Sequence, residues 1–160
     1  MIVKSFEINK INFEKINFFL LYGENEGFKN EIIKKNFEEK IKENIYRYEE
    51  KEILDNKENF FNNIFTKSFF EKEKLIIISR ATDKINYIIE EIIERRIQEV
   101  KVVLNSGILE KKSKLRNTFE KNDKTICIPF YSDNYQTLSK IINSFFYKKK
   151  FLFHKKLLIY

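Results

Sequence analysis

The residues whose spacing comes nearest to recognisable chemistry are Gly23-Glu24-Asn25-Glu26-Gly27-Phe28-Lys29-Asn30, which follow the short apolar run Phe18–Tyr22. A phosphate-binding loop needs Gly-x-x-x-x-Gly-Lys-Ser/Thr, in which backbone amides cradle phosphate, Lys neutralises it and the hydroxyl holds magnesium. Here the second Gly comes one position early, at Gly27, and no hydroxyl stands at the magnesium position. Glu24 and Glu26 place two negative charges at a helix start that otherwise favours anions. The partner motif is missing too, because Leu75–Ile78 runs into Ser79-Arg80 without an acid to hold metal and orient water. Gly23, Glu24 and Gly27 therefore read as a degenerate nucleotide loop, a tight strand-to-helix turn not expected to bind nucleotide. No cofactor and no metal are expected.

Other catalytic arrangements lack partners. His154 is the only histidine and stands in the last stretch of the sequence. Cys127 falls in a predicted buried strand without an activating neighbour, the setting of an inert thiol. Asp and Glu are plentiful, but spacing singles out no acid–base pair. No catalytic residue is assigned.

A different signal lies in Ser68-Phe69-Phe70, between a predicted helix and a predicted strand. Phe60, Phe61, Ile64 and Phe65 already supply the inward face of the helix, so Phe69 and Phe70 are surplus to it. Two adjacent aromatics in a polar connection either tuck beneath the loop or anchor in a partner's groove. The residues alone leave both open, tucking being the commoner outcome.

The elements that must position these groups follow from periodicity. Short apolar runs at 18–22, 45–48, 74–78, 100–104 and 125–128, the last ended by Pro129, predict five strands. Helical spacing is read over 28–41, 57–66, 85–97 and 112–121, with Asp83 placed to cap the third of these. Five strands alternating with helices imply an α/β fold, a three-layer parallel five-stranded sheet covered on both faces. Asp133 and Gln136 resemble a capping box that opens another helix, carrying Leu138, Ile141, Ile142, Phe145 and Phe146. The expected division is an α/β domain at 1–130, the start of a helical domain at 131–147, and a basic, apolar tail at 148–160.

Net charge is +7, from 31 Lys+Arg against 24 Asp+Glu, but 148–160 holds five of the lysines and no acid. Without that tail the chain is only +2, so basicity by itself does not argue for a nucleic-acid-binding face. The 160-residue chain is 42% hydrophobic with one cysteine, which excludes disulfide-scaffold and low-hydrophobicity disordered classes. No apolar run reaches the length of a membrane span, and the N-terminus carries no secretory pattern. A cytoplasmic location without membrane partners is expected, and a lone Cys suits a reducing compartment.

The order of motifs resembles the delta subunit of the bacterial DNA polymerase III clamp loader. The residues that carry the resemblance are Phe19-Leu20-Leu21-Tyr22-Gly23-Glu24, Ser68-Phe69-Phe70 before Lys74–Ile78, Leu109–Leu115, and Ile126-Cys127-Ile128-Pro129-Phe130 leading into 136–146. Together they cover about 1–147. The resemblance implies an AAA+-like fold with a degenerate nucleotide site, and a non-catalytic subunit of DNA replication. Any DNA-directed DNA polymerase activity would belong to the holoenzyme. It implies a partner, the ring-shaped sliding clamp, which a Ser-hydrophobic-Phe element enters to help open one ring interface; Ser68, Phe69 and Phe70 match that element.

Members of that family are about twice this length, with a completed helical domain and a collar that assembles the loader. The sequence is therefore expected to be truncated or frame-shifted after Tyr147. Assembly with other loader subunits is expected only if the collar is not required, and DNA contact only indirectly or weakly. The alternative is a DNA-binding module using Lys111, Lys112, Lys114, Arg116 and the tail.

Overall fold

A computed structural model of the chain describes residues 1–66, 73–95, 99–132 and 143. Met1–Phe130 form one compact unit, and Tyr131–Tyr160 are grouped apart from it. The first unit is an α/β fold built on five parallel strands: β1 (Phe18–Gly23), β2 (Ile45–Glu49), β3 (Lys74–Ser79), β4 (Val100–Ser106) and β5 (Thr125–Phe130). Their order across the sheet is β2-β3-β4-β1-β5. Five helices connect them: α1 (Glu26–Ile33), α2 (Glu50–Asp55), α3 (Lys57–Phe65), α4 (Asn86–Glu94) and α5 (Lys114–Lys121).

The sheet is buried on both faces, so its strands are apolar without interruption and not alternating. Alternate residues feed two separate cores. Phe18, Leu20 and Tyr22 of β1 join Ile53, Phe60, Ile88, Ile92, Leu115 and Phe119, which come from α2, α3, α4 and α5. Phe19 and Leu21 face the other way and meet Ile32 and Ile33 of α1, with Phe13 and Phe37. The rings of Phe13, Phe19 and Phe37 form a triangle with centroids 4.8–5.5 Å apart. One face thus carries α1 together with the segments of Ile8, Phe13 and Phe37, and the other carries α2, α3, α4 and α5.

That asymmetry fixes where a site can be. The connection leaving β1 crosses one face toward β2, whereas the connection leaving β4 crosses the opposite face toward β5. With right-handed crossovers, the neighbours β1 and β4 form a switch point, and ligands of open α/β sheets usually bind beyond the carboxyl ends of the strands at such a place.

Several local expectations change. Pro129 does not end its strand: β5 continues to Phe130, and Pro129 pairs with Tyr22. Cys127 directs its own N–H outward, to Met1 O at 2.9 Å, so the proline two residues on also has its ring nitrogen on the side away from β1. The pattern read as one helix over 28–41 leaves α geometry after Ile33 and continues as a π-helical turn, Lys34–Glu38. Helix α2 was not expected; Glu49 and Glu52 close a reciprocal capping box at its start. Ile97 and the helix read at 136–146 lie outside the described residues, except for Asn143.

Asp83 does not cap the helix that follows it. That helix begins with a 3-10 turn, Asp83–Ile85, whose N-cap is Thr82, accepting from Lys84 N. Asp83 is one residue too late for the cap, and its carboxylate instead crosses to the start of α5. There it accepts from Ser113 Oγ at 2.5 Å and Leu115 N at 3.0 Å. Ser113 in turn caps α5 by accepting from Arg116 N.

Candidate functional site

The crevice predicted by the topology is present. A cleft of about 640 Å³ opens at the carboxyl ends of the strands, lined by 79–82 at and beyond the end of β3, 105–109 at and beyond the end of β4, Glu26 and Asn30 of α1, and Glu49 of β2. Its character is set by what the β1–α1 turn does with its polar groups.

Gly23 is the pivot of that turn. Its φ is +123°, and a Cβ there would lie 2.1 Å from the carbonyl oxygen of Phe130. Only glycine allows β1 to pass this close to the end of β5. Its N–H donates to Gly107 O at 2.9 Å, and Asn25 N–H donates to Phe130 O at 3.3 Å. Further on, Glu26 N–H reaches Glu24 O, Lys29 N–H reaches Asn25 O, and Phe28 N–H reaches Asn25 Oδ1. The amides of Gly23, Asn25, Glu26, Phe28 and Lys29 therefore all have partners within the protein. Gly27 has open space around it, its nearest neighbour being Asn25 Oδ1 at 3.9 Å.

Lys29 stands six residues after Gly23, the place of the cation in a phosphate-binding loop. Its side chain is fully buried, with Nζ 2.5 Å from Glu26 Oε1 and 2.5 Å from Ser106 O. The other Glu26 oxygen accepts from Asn105 Nδ2 at 3.3 Å. The cation is thereby neutralised by a neighbour one helical turn back and by the end of β4. Spacing alone had no means of finding this, because Ser106 is 77 positions away in sequence.

The rest of the cleft is similarly engaged. The Arg80 guanidinium pairs with Glu49 at 3.2 Å. Glu50, mostly buried, accepts from Thr82 N at 2.5 Å and Thr82 Oγ1 at 2.8 Å. Ser106 Oγ donates to Ala81 O. Among the described residues two buried side-chain oxygens lack a protein partner, Asn86 Oδ1 and Asn105 Oδ1, and only Asn105 lines this cleft. No group of three or more His, Cys, Asp or Glu could hold a metal among the described residues.

Cys127 is fully buried, and its thiol is pushed up to about 12, first by burial and then by Glu120, against Arg116 and the N-terminal ammonium. A thiol so rarely ionised is a packing group. Arg116, one of the basic residues considered for DNA, is tied down. Its Nε meets Glu120 Oε1 at 2.6 Å, Nη1 donates to Leu109 O, and the guanidinium lies over the Tyr22 ring. Lys111, Lys112 and Lys114 are exposed, with Lys112 paired to Glu110 at 3.0 Å.

Ser68, Phe69 and Phe70 lie outside the described residues. The two ends of their connection are well defined. Helix α3 finishes at Phe65 with Thr66 as its C-cap, and β3 starts at Lys74. The ring of Phe65 stacks on Phe61 at 5.2 Å, and the Arg95 guanidinium lies 4.3 Å from the Phe65 centroid. Lys74 is buried, with Nζ donating to Asn63 O at 3.0 Å and Thr66 O at 2.6 Å.

No protein-family model matches the chain, and no curated protein matches it in sequence. No helix among the described residues is long and apolar enough to cross a membrane. In structure the chain is similar to the Bacillus subtilis DNA clamp loader delta protein YqeN, with a TM-score of 0.60 and 15% sequence identity. The match covers 78% of this chain and 41% of that one, so the chain spans about two fifths of its structural relative. The α/β unit of this protein has the AAA+-like fold of a clamp-loader delta protein.

Proposed function

We propose that this chain is a non-catalytic clamp-loader subunit of the delta type, or part of one, acting in DNA replication. It binds the sliding clamp through Ser68, Phe69 and Phe70 and helps open the ring. Its domains are the α/β unit at 1–130, the start of a helical domain at 131–147, and the tail at 148–160. The observation that carries the reading is the match in fold to a clamp loader delta protein over 78% of the chain. The β1–α1 turn supports it: the amides of Gly23, Asn25, Glu26, Phe28 and Lys29, and the Lys29 ammonium, are bonded internally. On this reading Gly23, Glu24 and Gly27 form a turn and not a nucleotide site.

Two aromatic side chains entering an apolar groove supply several kcal/mol of binding at about 25 cal/mol per Å² buried. Such a contact opens a ring only to the extent that it binds the open form more tightly than the closed one. The test is clamp binding by the full chain, using the sliding clamp of the same genome. The Phe69→Ala/Phe70→Ala variant is expected to lose at least about 2 kcal/mol of affinity while its thermal unfolding stays unchanged. Equal affinity of the two proteins, or no binding by folded wild type, would sink the proposal.

A further inference from the structure

We draw no further inference here: the strongest candidate, the apolar groove of about 350 Å³ that Met1, Ile2, Val3, Ile11, Ile16 and Ile126 line beside the edge strand β5, carries nothing because nothing in the structure shows what covers it.

Discussion

Lys29 and Lys74 are buried at opposite ends of the same sheet, and each donates to backbone carbonyls of a neighbouring element. Lys29 does so at the carboxyl ends of the strands, where the topology leaves a crevice and where ligands of open α/β sheets usually bind. Its bonds to Ser106 O and Glu26 tie α1 to the end of β4. Lys74 works at the amino ends, where no ligand site is expected, and joins the end of α3 to the start of β3. The same residue type thus ties α1 to the end of β4 at one end of the sheet and the end of α3 to the start of β3 at the other. A basic residue at a motif position is informative only once its partners are known.

The comparison is broken most severely at Gly23. Gly23→Ala would drive a Cβ to 2.1 Å from Phe130 O at a φ of +123°. Neither the neighbour nor the backbone can yield, so the substitution is expected to cost more than about 3 kcal/mol in chemical denaturation. Gly27→Ala has the opposite sign. Gly27 lies in α1 with no close neighbour, and alanine should stabilise by about 0.5–1 kcal/mol through helix propensity. If the two substitutions behaved alike, the turn would not be organised around Gly23.

Next in size is Lys29→Ala, expected to cost about 3 kcal/mol, since it breaks a buried pair and removes the packed alkyl stem. Equilibrium dialysis should find no ATP retained by wild type or by this variant. ATP binding by wild type would mean that the amides of the turn can be released to a ligand, and the contrast between the two ends would fail. Cys127 gives a milder check of the same closed core. With its thiol near 12, native protein at pH 8 should resist thiol reagents that label the denatured chain completely.

How much of this was legible depended on range in sequence. The five strands were, because a strand buried on both faces writes itself as a short run such as Phe18–Tyr22 or Leu75–Ile78. The departure of Gly27 and Asn30 from the phosphate-loop pattern is likewise local and readable. Helix α2 escaped notice because six residues with Ile53 as their one fully buried side chain show no period. The partners of Lys29 and Asp83 escaped for another reason: Ser106, Ser113 and Leu115 lie thirty or more residues on, in elements that only the fold brings alongside. Asp83 looked like a cap for the helix it precedes, and its real partners are thirty or more residues on.

That misread aspartate supplies the smallest effect and the one whose sign is most specific. Burial raises the Asp83 carboxyl, but hydrogen bonds from Ser113 Oγ and from the Leu115 and Lys114 amides, with the Lys114 charge, outweigh it and hold its pKa below the ordinary 3.8. A carboxyl that ionises at lower pH when folded favours the folded state in its charged form. The contribution is complete once pH stands well above 3.8, shrinks as pH falls through that value, and is gone below the folded pKa. Asp83→Asn should therefore cost about 1 kcal/mol at pH 7, the worth of a helix cap, and the gap to wild type should close on acidification to pH 3. Like Lys29, Asp83 ties two elements at the carboxyl ends of the strands, but through an exposed residue, which is why its loss is small. A gap that stayed constant from pH 7 to pH 3 would show that the side chain matters there by shape and not by charge.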